Sequence, residues 1–541
     1  MIQPKTIMYA EQARAALKNG IDKLANAVKT TLGPRGRNVV IERSFGAPHV
    51  TKDGVTVARA VELTNPEEQL GAMMVLQAAT RTAEKAGDGT TTATLLAQEL
   101  VSSGQEMIAN GCNPSELRKG VELAVKRVVA HLDVIRQPIS FDDTEKIINI
   151  ASISANNNPE VGKLIADAMQ RVGKQGVVTI DDSKTNETTV TVVEGMQLDR
   201  GYISPYFATN TKLEADLVNP YVLIYDRGIN NMKSLVPILE QISNSGRSLL
   251  IIANDVDGDA LAGLIVNKMQ GRLKVVAIKS PGFGDRRKDI LEDIAVLTNA
   301  QFVSQELNRQ LENVTLSYLG SASRVLVTKD STIISGGSGG AQKIEERAQV
   351  IRTQIEACTS DYDREKLQER LSKLVGGVGC IRVGAASELE LKEKKDLVED
   401  ALHATRAAIE EGIVPGGGVA FLRCLPFLQQ TVHLNADQEA GSVIVQKALM
   451  SPCRQILLNA GLDAETLLSK ILKGADDFGY NAATETFSNL VADGVIDPKK
   501  VVRVALENAA SVAMSILSTE ATITEVRDEH WYKLRTPAMG E

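Results

Sequence analysis

Apolar residues recur at helical spacing toward both ends of this chain and give way, between them, to an alternation of strands and helices, which requires mostly helical outer segments around an α/β middle. From Ala13, the positions Leu17, Ile21, Leu24, Val28 and Leu32 mark a helix with one buried stripe, and Gly33-Pro34 stops it. Residues 38–42, His49-Val50-Thr51 and Val55-Thr56-Val57, the last after an Asp53-Gly54 turn, read as short strands. Asn113-Pro114-Ser115-Glu116 then opens a second long helix, with Asn as cap, Pro at the first position and Glu able to close a capping box. Leu117, Val121, Val125, Val128 and Leu132 supply its stripe, and Pro138 marks a hinge. In the middle, residues 249–252 and 275–278 are buried strands, 259–269 and 286–297 helices, and 344–357 and 363–374 a charged helical pair ended by Gly376-Gly377. From Leu389 the pattern is helical again, broken at Pro415-Gly416-Gly417-Gly418 and Gly479-Tyr480-Asn481.

A chain of 541 residues needs more than one core, and an aromatic share of 4% makes those cores aliphatic. A formal charge of -8 argues against a phosphate-tracking surface, so nucleic acid is not an expected partner. Cys112, Cys358, Cys380, Cys424 and Cys453 show no metal or redox spacing and read as buried free thiols of a reducing compartment. No run approaches a membrane span, and the N-terminal residues lack a signal-peptide core, so a cytoplasmic protein is expected, with a processed organellar form as the alternative.

Gly87-Asp88-Gly89-Thr90-Thr91-Thr92 lies between two helices. A helix start with adjacent glycines suits phosphate, and Asp88, which would repel an anion by itself, makes sense if it holds Mg²⁺. The competing reading is a pair of helix caps with no ligand. Leu32-Gly33-Pro34-Arg35-Gly36 and Lys52-Asp53-Gly54 are either plain turns or further parts of such a site, and Gly416-Gly417-Gly418 is either a helix junction or a close approach to ligand. Asp400, on a charged helix, reads by itself as solvated. No Walker-type glycine-lysine motif and no zinc spacing occurs among the histidines. Leu235, Val236, Ile238 and Leu239, with Leu261, Leu264, Ile265 and Val266, form apolar ridges that pack on a sheet or share an exposed groove for extended chains.

These pieces resemble the GroEL-type (group I) chaperonins. The resemblance rests on residues 30–40, Thr51-Lys52-Asp53-Gly54-Val55, residues 86–92, Gly201-Tyr202-Ile203-Ser204-Pro205-Tyr206-Phe207, Pro281-Gly282-Phe283-Gly284-Asp285-Arg286-Arg287 and residues 398–418, and runs to about Glu520. It implies a multidomain fold: a helical equatorial ATP-binding domain (1–137 and 412–541), a small intermediate hinge domain (138–194 and 378–411) and an α/β apical substrate-binding domain (195–377). By position, Asp88 matches the Mg²⁺ ligand, Gly89, Thr90, Thr91 and Thr92 the phosphate contacts, Leu32, Gly33 and Pro34 a nucleotide-contacting turn, and Asp53 and Asp400 the acids that orient the attacking water. Gly417, Asn481, Ala482, Ala483 and Asp497 match sugar and base contacts, and Thr31 and Lys52 a K⁺ site. Tyr202, Ser204, Tyr206, Phe207, Val236, Leu239, Leu261, Ile265 and Val266 match the surface that takes unfolded client proteins and then a GroES-type co-chaperonin. Arg200 and Glu388 match an intersubunit salt bridge.

The resemblance further implies an ATPase coupled to protein folding, a homo-oligomer of two stacked seven-subunit rings, and hydrolysis gated by the arrival of Asp400 over bound ATP. Three features depart from well-known members: Pro415 before the triple glycine, Asn254 where an acid is common, and a tail without Gly-Gly-Met repeats. A client-holding or scaffold paralogue with weak turnover and unstable rings is the second reading, and a Mg²⁺-dependent small-molecule phosphotransferase the third.

Overall fold

A computed structural model describes residues 5–42, 48–155, 158–173, 177–183, 185–210, 213–282, 284–304, 309–358, 360–431 and 434–525. The tail from Arg527, including Trp531, and Phe283 of the 281–287 motif lie outside the described residues. The chain forms two compact units, one from residues 1–166 and 392–541 and the other from residues 167–391.

The first unit is a stack of long helices: Ala10–Val28, Pro66–Ala86, Thr90–Ala109, Pro114–Ile135, Ala436–Asn459 and Lys499–Leu517. Their starts follow the local chemistry. Asn113 accepts from the N–H groups of Ser115 and Glu116 with Pro114 at the first position, and Asn65 does the same for Glu67 and Glu68 ahead of Pro66. The stripe Leu17, Ile21, Leu24 and Val28 is buried together with Leu117, Val121, Val128 and Leu132, in a core dominated by aliphatic side chains. One reading fails here. Val55-Thr56-Val57 belongs to a helix, Gly54–Ala60, because the Asp53 carboxylate accepts from the N–H groups of Val55 and Thr56 and starts a helical turn where β-branched residues suggest a strand.

Two helix crossings depend on paired glycines. A Cβ on Gly20 would stand 1.7 Å from the Glu68 carbonyl oxygen, and one on Gly71 2.1 Å from that of Leu17. Likewise, Gly120 would meet the Gln438 oxygen at 2.1 Å and Gly441 the Leu117 oxygen at 2.4 Å. At each crossing the two backbones touch directly, closer than side-chain-bearing helices allow. The unit is closed by a ribbon in which Lys5–Tyr9 pairs antiparallel with Ala521–Glu525, and Thr524 donates to the buried Glu67 carboxylate at 2.8 Å.

The second unit carries a seven-stranded mixed sheet. Val275–Lys279, Leu249–Ala253 and Tyr221–Ile224 run parallel, followed by the antiparallel Gly320–Val327, Thr332–Gly337 and Gly195–Leu198, while Ala215–Val218 pairs with Gly320–Val327. Every residue of Leu249–Ala253 is buried, as a central parallel strand covered on both faces requires. A three-stranded sheet of Val177–Asp182, Val378–Val383 and Thr189–Val193 completes it. The charged pair Ala341–Ala357 and Asp361–Val375 is held by Arg347 and Arg370, which both bond the buried carboxylate of Asp293.

Alanine favours a helix interior over glycine by about 0.8–1.0 kcal/mol, so Gly120→Ala stabilises the protein unless the crossing matters. The clash with the Gln438 carbonyl predicts the opposite: a net loss of about 1–3 kcal/mol, as overpacking typically costs. A urea midpoint for Gly120→Ala at or above that of the wild type would remove the reading.

Candidate functional site

Helix Pro66–Ala86 ends on Gly87 in the left-handed region, and Gly89, also left-handed, starts helix Thr90–Ala109. Asp88 sits between them. No side chain caps the second helix. Its first backbone bond runs from the Ala93 N–H to the Gly89 carbonyl at 2.9 Å, so the N–H groups of Thr90, Thr91 and Thr92 precede the ladder. Asp88 Oδ1 accepts from the Gly89 N–H at 2.5 Å instead of capping the helix. The two-caps alternative is therefore half met: Gly87 terminates one helix, and neither Asp88 nor a threonine caps the next. Open N–H groups at a helix start favour a bound anion.

Asp53 lies on the adjoining wall. A Cβ on Gly54 would fall 2.1 Å from Thr91 Oγ1 and 3.3 Å from Thr90 Oγ1, so glycine lets the Asp53 turn rest on the threonines. Asp400 comes from helix Glu388–Glu411. That helix packs on the Gly87 to Thr92 loop, where a Cβ on Gly87 would stand 2.0 Å from the Cβ of His403, and Ala407 shares a small core with Ala86, Val501 and Val504. Asp497 sits on Ile496–Pro498, opposite Val414 of Ile413–Pro415.

These carboxylates feel one another. Burial first, then the charges of Asp88 and Asp53, hold Asp400 well above the ordinary carboxylate range. Asp88 is raised by burial, against the opposing hydrogen bonds of Gly89 and Ser154. Asp497 is pushed up to about 7, by burial and then by Asp88. Among the described residues no lysine or arginine pairs with Asp88, Asp400 or Asp497. Among the described residues no three acids, histidines or cysteines converge on one metal position; Asp88 by itself, beside an anion-attracting helix end, offers the hard carboxylate oxygen that Mg²⁺ takes together with phosphate and water.

The remaining residues of the sequence reading lie on backbone turns. The Gly416 N–H bonds the Val495 carbonyl at 2.9 Å, a Cβ on Gly418 would come within 2.7 Å of the Cys453 nitrogen, and one on Gly417 would meet nothing nearer than Leu490 Cδ1 at 3.7 Å. Gly417 thus presents an open face. Asn481 turns its own loop, accepting from the N–H groups of Ala483 at 3.1 Å and Thr484 at 3.4 Å, with Ala482 buried and Ala483 exposed. The turn of Leu32, Gly33 and Pro34 is held by Asn459, whose amide donates to the Leu32 carbonyl at 2.9 Å, and Arg35 reaches Glu485 beside the Asn481 loop at 2.5 Å. Thr31 donates its hydroxyl to the Val28 carbonyl at 2.9 Å, and Lys52 is half-buried.

Two residues beside the loop escape the sequence reading. Ser154, at the end of helix Thr144–Ser154, donates to Asp88 Oδ2 at 2.9 Å, and His403 covers Gly87. No local motif marks the serine. His403 sits one turn after Asp400, and that spacing on one helix face is the signal that could have found it.

In the second unit the residues matched to client capture divide by exposure. Tyr206 (64% exposed), Val266 (50%) and Val236 (39%) stand out from the surface, whereas Phe207 and Leu239 are buried in the core. Tyr202, Leu261 and Ile265 are partly buried against that core. Ser204 is buried and caps the short turn Pro205–Phe207.

The sequence profile of the TCP-1/cpn60 chaperonin family matches residues 24–527. Among solved structures, the chain is similar to the chaperonin gp146 from the bacteriophage EL 2 (Pseudomonas aeruginosa), crystallised in the presence of ATP-BeFx. That likeness has 21% identity and a TM-score of 0.69, and covers 97% of this chain and 99% of that one. The motifs, the fold and a profile spanning nearly the whole sequence converge: the chain belongs to the TCP-1/cpn60 chaperonin family, and is of the GroEL type.

Proposed function

We propose that this chaperonin is an ATP-driven foldase, and that its nucleotide site is the cleft between Gly87 to Thr92, the Asp53 turn, Asp400 and the Gly417 and Asn481 loops. The observation that carries the reading is the uncapped start of helix Thr90–Ala109 ringed by carboxylates that have no paired cation among the described residues. The N–H groups and hydroxyls of Thr90, Thr91 and Thr92 receive phosphate oxygens, and Asp88 holds the metal. Bound Mg²⁺ would supply charge compensation across the phosphates. Asp53 and Asp400 orient the attacking water, so positioning and electrostatics do the chemistry. Gly417, the Asn481 to Ala483 turn and Asp497 take sugar and base, the Leu32 to Pro34 turn closes over them, and Thr31 with Lys52 borders a K⁺ site.

Non-native clients bind the exposed side chains of Tyr206, Val236 and Val266, and a GroES-type co-chaperonin then competes for the same residues. The division into equatorial, intermediate and apical domains at 137, 194, 377 and 411, the two stacked seven-subunit rings and a cytoplasmic setting belong to the same proposal. Left-handed Gly377 and Gly412 are the supporting hinge features, since a glycine backbone absorbs large rotations cheaply. The chaperonin gp146, prepared with ATP-BeFx, favours nucleotide use by a protein of this fold.

If Asp400 orients water rather than binding nucleotide, Asp400→Ala lowers kcat by about 10²-fold or more while nucleotide affinity stays within a few-fold. Single-turnover hydrolysis alongside equilibrium binding of a fluorescent ADP analogue decides it, and an unchanged kcat would sink the mechanism. The raised Asp497 value fixes a second outcome. Its neutral form costs nothing near pH 4, the penalty grows as pH rises from the ordinary carboxylate value of 3.8, and it is complete above the folded value of about 7. Melting of the nucleotide-free protein should therefore show Asp497→Asn more stable than wild type at pH 8, with the gain vanishing toward pH 4. A gain independent of pH contradicts the assignment.

A further inference from the structure

We infer that Ser154 is a positioning residue for the metal-holding carboxylate, and that its hydroxyl sets the magnesium affinity of the nucleotide site. The inference rests on the reading of Asp88 as the Mg²⁺ ligand and extends it to a residue that the sequence motifs leave out.

Helix Thr144–Ser154 is fixed from behind. Ile150 shares a small core with Ile139, Ala404, Ala408, Ile413 and Ile496, and Asn149 lies against Gly494, where a Cβ would approach its amide to 2.9 Å. Two serines near the end of this helix behave differently. Ser152 donates to the carbonyl one turn back, Ile148, at 2.6 Å, the usual use of a helical serine hydroxyl. Ser154 gives its proton to Asp88 Oδ2 at 2.9 Å. With the Gly89 N–H on Oδ1 at 2.5 Å, both oxygens of Asp88 are held by neutral donors that fix the plane of the carboxylate. Each oxygen keeps a further lone pair for a cation.

That is the arrangement of an outer-shell donor, which orients a ligating carboxylate in advance and whose removal typically costs about 10–100-fold in metal affinity. Without the hydroxyl, Asp88 keeps a single donor, on Oδ1, and becomes free to rotate. Because Ser154 sits on a helix sharing its core with the helix of Asp400, the bond also ties the metal-holding carboxylate to the element that delivers the water-orienting acid.

The test is a Mg²⁺ titration of the full-length protein, read by binding of a fluorescent ADP analogue rather than by turnover. Ser154→Ala is expected to raise the Mg²⁺ midpoint about 10–100-fold and to leave affinity for the metal-free analogue unchanged. Ser154→Thr, which restores the hydroxyl, brings the midpoint back, and Ser152→Ala does not move it. A Ser154→Ala midpoint within two-fold of wild type, with Asp88→Ala strongly shifted, overturns the inference alone. An unmoved midpoint in Asp88→Ala overturns the metal assignment and the inference together. A loss of metal-free binding in Ser154→Ala that threonine does not restore marks the serine as merely structural and also overturns it.

Discussion

Like charges crowded together and buried are hard to ionise without a counter-charge, and Asp88, Asp400 and Asp497 stand in that condition. Asp88 and Asp53 both raise Asp400, and Asp88 raises Asp497, so these two acids are less comfortable because of their neighbours. The protein answers with rigid neutral groups: the Gly89 N–H, the Ser154 hydroxyl and the helix Gly54–Ala60 that Asp53 caps. The unmet remainder is what a metal–nucleotide complex would neutralise, and binding energy is thereby stored in the folding of the site.

How much of this could be read in advance depends on whether the cause was local. The caps at Asn113-Pro114 and the period of Leu17, Ile21, Leu24 and Val28 are properties of a few consecutive residues, and both are found as expected. The buried strand Leu249–Ala253 announced itself in the same way. Val55 to Val57 misled because β-branched side chains suggest a strand while one upstream carboxylate caps the turn into a helix. The partners of Gly20, Gly71, Gly120 and Gly441 were invisible, since a glycine inside a helix does not say which backbone will lie against it. Local sequence shows the site only as fragments, which the family resemblance alone gathers into one. Asp88 between two glycines reads as a helix junction until Gly54 is seen against Thr91 and His403 against Gly87, both remote in sequence.

The two units solve different problems with the same aliphatic stock. In the first, paired glycines bring helix backbones into direct contact around an aliphatic core. In the second, a sheet with a fully buried central strand supports helices that keep Val236 and Val266 outward while Leu239 and Leu264 face in. An aliphatic surface without directional partners suits clients of varied sequence, because apolar contact scales with area and imposes little geometry.

The ribbon of Lys5–Tyr9 with Ala521–Glu525 carries a consequence for biosynthesis. A strand made before the central block pairs with one made after it, and helices from both sides of that block share a single core. The second unit, continuous in sequence, can complete its own core while the chain is still growing. The first unit cannot, so through most of synthesis the helix Pro114–Ile135, which packs on Ala436–Asn459 and Val419–Gln429, must wait with its apolar stripe uncovered. A chaperonin is thus, for that interval, itself an incompletely folded chain.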